Sequence, residues 1–228
     1  MKHLVLLHGA LGSPEYFEKI KEALSGEYIL HTLTFAGHAG TALPNDGLRM
    51  QNYVAQLVDF CDTLPSEPLA FFGYSMGGYV ALAYAAQYPE RVSAVMTLAT
   101  KLQWSPEIAA REVKMLQPAA VQQKVPQFAA YLSGLHGSER WAPLMQRIAD
   151  MLLALGENPL LTDAMLSKIH APVQLMVGDK DNMVSIEETM QVYRSLKSAT
   201  LAVLPNTVHP FEKINTPMLL QLMRDFFK

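Results

Sequence analysis

Short apolar runs alternate along this chain with longer segments of helical periodicity, and this alternation constrains the fold more than any other feature. Nearly all of the runs are apolar on both faces, which is typical of parallel strands covered by helices on both sides. The pattern therefore predicts an α/β fold with a doubly wound, mostly or wholly parallel six-stranded sheet. The predicted strands are His3–Leu7, Tyr28–Leu33, Leu69–Tyr74, Val92–Leu98, Val173–Val177 and Thr200–Leu204. The predicted helices between and after them are Pro14–Leu24, Met50–Leu64, Met76–Tyr88, Ile186–Leu196 and Pro217–Phe227.

The interval between the fourth and fifth predicted strands is far longer than a crossover helix requires. It carries three helical patterns of its own, Pro106–Leu116, Ala119–Ser133 and Arg140–Leu155. We therefore predict one α/β core with a helical insertion. The core comprises residues 1–101 and 169–228, and the insertion comprises residues 102–168.

Composition and charge narrow the possible partners. The 228 residues carry a formal net charge of −3, so no broad basic field favours nucleic acid. The first apolar run is too short to span a membrane and no small-residue cleavage site follows it, so we interpret it as a core strand. The lone cysteine, Cys61, cannot close an intramolecular disulfide, and we expect a reducing, cytoplasmic compartment. No close spacing of His or Cys predicts a metal site, and we expect no cofactor.

The segment Gly73-Tyr74-Ser75-Met76-Gly77-Gly78 joins a predicted strand directly to a predicted helix. A serine at the centre of G-x-S-x-G in this setting lies on a tight strand-to-helix turn, and the flanking glycines remove the Cβ atoms that would clash. The pattern by itself is weak, but the strand before it and the helix after it make it specific. Ser75 is therefore the predicted nucleophile.

A histidine and two carboxylates follow the last two predicted strands. Asp179 and Asp181 come after the fifth strand and His209 after the sixth, so all three lie at the carboxyl edge of the sheet. We predict His209 as the general base and Asp181 as the carboxylate that orients it, with Asp179 holding the turn. His8 precedes a tight turn at a strand end, where a structural role is the commoner one.

The loop after the first predicted strand, His8-Gly9-Ala10-Leu11-Gly12-Ser13, bears glycines and faces the serine across the sheet. We predict the backbone N–H groups of Ala10 and Met76 as the donors of an oxyanion hole.

These motifs resemble those of the α/β-hydrolase superfamily: H-G-A-L-G-S after the first strand, G-Y-S-M-G-G at the turn, G-D-K-D before the acid and V-H-P near the end. The resemblance implies the strand order 2-1-3-4-5-6 and an insertion that acts as a cap over the substrate pocket. Phe35–Gly40 is similar to the family's P-G-H-G loop with alanines at two places, and it implies a structural role for His38. Dehalogenases and epoxide hydrolases of this fold are disfavoured, because they have aspartate where this chain has Ser75.

The predicted activity is hydrolysis of a small carboxylic ester through an acyl-enzyme. Two alternatives stay open: a C–C hydrolase or lyase similar to the menaquinone-pathway synthase, and a small-molecule receptor that retains the triad without turnover. The lyase alternative needs a cationic anchor, for which the insertion offers Arg111, Lys114, Arg140 and Arg147. The predicted substrate contacts are Leu11, Tyr74, Trp104, Tyr131, Trp141 and Met145. The sequence leaves the oligomeric state open.

Overall fold

The computed structural model describes residues 1–228 and contains one six-stranded sheet. All five strand pairs are parallel, and the strands follow the order β2-β1-β3-β4-β5-β6. This confirms the predicted sheet and strand order. The strands are β1 (Lys2–Leu7), β2 (Tyr28–Leu33), β3 (Leu69–Tyr74), β4 (Val92–Leu98), β5 (Val173–Gly178) and β6 (Ala199–Leu204).

Ten α-helices accompany the sheet, and none has the length and apolar character needed to cross a bilayer. Several begin at a side chain that accepts an unpaired amide of the first turn, as Ser105, Ser185 and Asn215 do. The helices are α1 (Glu18–Leu24), α2 (Met50–Asp62), α3 (Met76–Gln87), α4 (Pro106–Glu112), α5 (Pro118–Lys124), α6 (Pro126–His136), α7 (Trp141–Glu157), α8 (Asp163–Leu166), α9 (Ile186–Ser195) and α10 (Thr216–Phe226).

Helices α4 to α8 lie between β4 and β5, and they differ in detail from the helical patterns in the sequence. The prediction of one helix over Ala119–Ser133 is wrong, because α5 ends at Lys124 and α6 begins at Pro126. Proline has no amide hydrogen and its ring disfavours helical geometry in the residue before it. Val125 accordingly has φ −138° and ψ 61°, which separates the two helices.

The core consists of one apolar cluster on each face of the sheet. Alternate residues of β1 enter different clusters: Val5 packs with α2, α3 and α9, whereas Leu6 packs with α1 and α10. The larger cluster continues into the insertion through Leu132 and Leu144, so apolar contacts hold the insertion against the core. Cys61 is fully buried in the same cluster.

Candidate active site

The turn between β3 and α3 holds Ser75 in a conformation that few residues other than glycine adopt. Ser75 has φ 51° and ψ −118°, a backbone geometry that persists only where the surrounding structure holds it. A Cβ on Gly73 would lie 2.4 Å from the Cα of Gly78, and one on Gly77 would lie 2.2 Å from the carbonyl oxygen of Leu7. The glycines therefore let the turn pack directly against β1, as the sequence motif requires.

The structure brings the side chains of Ser75, His209 and Asp181 into one row. Ser75 Oγ lies 3.4 Å from His209 Nε2, and His209 Nδ1 lies 2.8 Å from Asp181 Oδ2. The first distance is at the long end for a hydrogen bond. Catalytic hydrogen bonds of this kind shorten when a substrate is bound. In the 2.8 Å contact His209 Nδ1 carries the proton and donates to the carboxylate. Nε2 is therefore free to accept a proton from the serine hydroxyl.

Asp181 is held rigidly on the far side of His209. Its Oδ1 accepts the amides of Met183 and Val184 at 2.8 and 2.9 Å, while Oδ2 accepts from the histidine. Burial by itself raises the pKa of Asp181, but hydrogen bonds and the nearby imidazole outweigh it and lower the pKa below its usual value. The carboxylate is therefore charged at neutral pH and fixes the histidine tautomer.

The loop that carries His209 is anchored at two further points. Asp179 Oδ1 accepts the amide of Thr207 at 3.1 Å, so this carboxylate closes the turn beside β5. The buried hydroxyl of Tyr74 donates to the carbonyl oxygen of His209 at 2.8 Å. Tyr74 precedes Ser75 in the chain, so this hydrogen bond connects the serine turn to the histidine loop.

Ala10 and Met76 line the same cavity as Ser75. The backbone amide of neither residue donates to an acceptor within the turns and loops of the chain. The Ala10 loop is strained beside this amide, because Leu11 has φ 59°. Two histidines fix the position of Leu11 in this loop. The Leu11 amide donates to His38 Nε2 at 3.1 Å, and the Leu11 carbonyl accepts from His136 Nε2 at 3.0 Å.

Three buried histidines connect this loop to the segment after β2 and to the insertion. His8 Nε2 accepts the amide of Phe35 at 3.1 Å, and His136 Nδ1 accepts that of Ala39 at 2.9 Å. Desolvation lowers the pKa of His8 to about 4 and also lowers the pKa values of His38 and His136. All three are neutral at pH 7, so each can accept on one ring nitrogen and donate from the other. The structural roles predicted for His8 and His38 agree with these contacts.

A cavity of about 880 Å³ opens above Ser75 and is lined mainly by apolar side chains. Of the predicted substrate contacts, five line it: Leu11, Tyr74, Trp104, Tyr131 and Met145. The sixth, Trp141, is not among the lining residues. This side chain begins α7, is 8% exposed and packs into the larger core cluster.

Several lining residues escaped the sequence prediction. Tyr16 follows the oxyanion loop, Met183 follows Asp181 and Phe211 follows His209, so proximity to the motifs was the available signal. Lys101 and Phe128 carried no such signal. The four basic residues of the insertion that could have anchored an anion do not line the cavity: Arg111, Lys114, Arg140 and Arg147. No group of three or more His, Cys, Asp or Glu side chains is arranged to hold a metal ion.

The sheet, the serine turn and the row of three polar side chains define a protein of the hydrolase-fold class. The model of the alpha/beta hydrolase fold family matches residues 2–211, and the chain belongs to this family.

Two curated relatives match part of the chain. It is 34% identical over 99 residues to a candidate 2-succinyl-6-hydroxy-2,4-cyclohexadiene-1-carboxylate synthase of Bacillus subtilis (strain 168). This match covers 42% of this chain and 36% of that protein. It is also 34% identical over 110 residues to a pimeloyl-[acyl-carrier protein] methyl ester esterase of Salmonella heidelberg (strain SL476), covering 48% and 40%. The matched segments thus span well under half the length of these relatives.

Among solved structures, the enol-lactonase from Burkholderia xenovorans LB400 superimposes with a TM-score of 0.80. It covers 99% of this chain and 91% of that one at 17% sequence identity, so the likeness is one of fold.

Proposed function

We propose that this protein is a serine hydrolase that cleaves a carboxylic ester in the cavity above Ser75. The observation that carries the proposal is the continuous contact from Ser75 Oγ to His209 Nε2 at 3.4 Å and from His209 Nδ1 to Asp181 Oδ2 at 2.8 Å. A serine hydroxyl needs a base within reach and an oriented tautomer of that base to act as a nucleophile.

The proposed reaction has two halves. Ser75 Oγ attacks the ester carbonyl while His209 Nε2 takes its proton, and the N–H groups of Ala10 and Met76 stabilise the oxyanion. The tetrahedral intermediate collapses, and His209 returns the proton to the departing alcohol. Water then attacks the acyl-enzyme with His209 again as base, which releases the acid and regenerates Ser75. Asp181 stabilises the imidazolium in both halves.

Ester hydrolysis is favoured over lyase chemistry by the surroundings of the serine. The Salmonella relative is named as a methyl ester esterase, whereas the Bacillus relative is named as a synthase of a carboxylate product. An unpaired cation favours an anionic substrate, because it donates a charge-assisted hydrogen bond. The basic residues of the insertion lie outside the cavity lining, and the cavity is mainly apolar. No observation favours a receptor without turnover.

The test is hydrolysis of 4-nitrophenyl butyrate together with labelling by a fluorophosphonate. Ser75→Ala should abolish labelling and lower kcat by about 10⁴-fold or more, as removal of a triad member does. Ser138→Ala, a change at an exposed serine of the insertion, is the matched control and should behave as the wild type. Equal turnover and labelling of Ser75→Ala and wild type would refute the proposal.

A further inference from the structure

Charged side chains interrupt the apolar wall of the cavity, and acidic ones outnumber basic ones. The lining includes four carboxylates and two ammonium groups: Glu15, Glu18, Glu112, Glu212, Lys19 and Lys101. Four of these side chains are exposed to solvent at the cavity rim: Glu15, Glu18, Lys19 and Glu212. Water screens charges at the rim, so the buried pair has the larger influence on a bound substrate.

Lys101 is the one buried cation of the lining, and two carboxylates neutralise it. Lys101 Nζ lies 3.1 Å from Glu188 Oε2 and 3.6 Å from Glu112 Oε1. The three side chains are only 7–10% exposed, so their charges interact in a medium that screens weakly. Glu188 Oε1 has no hydrogen-bond partner, so the carboxylates are in excess around the ammonium group.

A second cation approaches this cluster from outside. Arg111 Nη2 lies 3.5 Å from Glu112 Oε1, but its side chain is 66% exposed and does not line the cavity. Contacts of exposed cations of this kind contribute little, because water competes for them. Arg111 therefore leaves the buried part of the cavity without a free cation, and the remaining cation of the lining, Lys19, is exposed at the rim.

We propose that Glu112 and Glu188, by neutralising Lys101, restrict this cavity to esters that carry no negative charge beyond the scissile bond. A substrate carboxylate entering the apolar cavity would lose its water and find no unpaired buried cation, and it would be repelled by Glu112. A neutral acyl or alcohol group meets no such penalty. This inference rests on the proposed ester hydrolysis and assigns Glu112 and Glu188 as specificity-determining residues.

Two methyl esters of equal chain length test the inference on the wild type. Methyl hexanoate and monomethyl adipate differ only in the replacement of the terminal methyl group by a carboxylate. We expect kcat/KM to be at least about a hundredfold higher for methyl hexanoate, as the cost of an uncompensated like charge implies. Acid release at constant pH measures both reactions. Equal kcat/KM values for the two esters would overturn the inference.

Glu112→Gln identifies the origin of the selectivity, because it leaves Lys101 with one carboxylate instead of two. We expect the ratio of kcat/KM for monomethyl adipate to that for methyl hexanoate to rise about tenfold. Glu188→Gln is a second variant with the same expected result, and its amide oxygen can still accept the Ser185 amide. Glu107→Gln is the matched control, because it changes an exposed carboxylate on the same helix as Glu112 but outside the lining. It should leave the ratio of the two kcat/KM values unchanged.

The results separate this inference from the proposed function. The role of the two glutamates is overturned if folded Glu112→Gln and Glu188→Gln hydrolyse methyl hexanoate and keep the wild-type ratio of kcat/KM for the two esters. Ester hydrolysis would stand in that case. Absence of turnover for both esters, with no fluorophosphonate labelling of wild type, would instead overturn the proposed function.

Discussion

Acidification from pH 7 to pH 5 should destabilise the fold through the three buried histidines His8, His38 and His136. Each accepts a backbone amide on one ring nitrogen, so protonation would replace an accepted hydrogen bond by a repulsion between two N–H groups. Each ring also contacts a backbone carbonyl through its other nitrogen. The neutral ring is therefore the form that fits the folded protein.

The magnitude follows from linkage between protonation and folding. Burial lowers the pKa of His8 from 6.5 to about 4 and that of His38 well below 6.5. The unfolded chain then binds protons below pH 6.5 that the folded chain does not, so the stabilisation is present above pH 6.5 and is lost as the pH falls. Each such histidine contributes about 1.4 kcal/mol per pH unit once the unfolded form is fully protonated. His8 by itself implies a loss of about 2 kcal/mol between pH 7 and pH 5, to which His38 and His136 add.

Urea denaturation at pH 7, 6 and 5 measures this loss as a change in the free energy of unfolding. His38→Gln replaces the ring by an amide that does not titrate, so the free energy of unfolding should depend less steeply on pH than in the wild type. His170→Gln is the matched control, because this histidine is exposed. The reasoning fails if the wild type loses less than about 1 kcal/mol between pH 7 and pH 5, or if His38→Gln keeps the full slope.

Three further changes test the site and its surroundings. Asp181→Asn should lower kcat for 4-nitrophenyl butyrate by about 10³- to 10⁴-fold with little change in stability, because the amide favours the wrong tautomer of His209; a loss below tenfold would contradict this role. Tyr74→Phe removes the hydroxyl that holds the His209 carbonyl and should lower kcat by about fivefold, the equivalent of one hydrogen bond; an unchanged kcat would show that the loop needs no such anchor. Trp141→Ala should cost about 3–5 kcal/mol in urea denaturation, whereas Trp104→Ala should mainly raise KM. The reverse result would place Trp141 at the substrate and Trp104 in the core.

The sequence by itself determined the sheet, because its signals are local. Strands buried on both faces need apolar side chains at every position, and this requirement is readable in Val5 and Phe71 without knowledge of the fold. The turn at Ser75 is equally local, since Gly73 and Gly77 are needed within two residues of it. The chain order of Ser75, Asp181 and His209 followed from where the strands end.

The tertiary structure alone decided which side chains of the insertion face the serine. The two tryptophans of the insertion diverge: Trp104, in the segment before α4, lies in the cavity wall, whereas Trp141, at the start of α7, lies in the core. Each position depends on packing against distant residues. Lys101 is neutralised by Glu112 and Glu188, which lie 11 and 87 positions further along the chain. His136 and Leu11, which share a hydrogen bond, are 125 positions apart. Side-chain distances of this kind are set by the packed fold, because residue type and periodicity carry no information on which distant partner a charged group will meet.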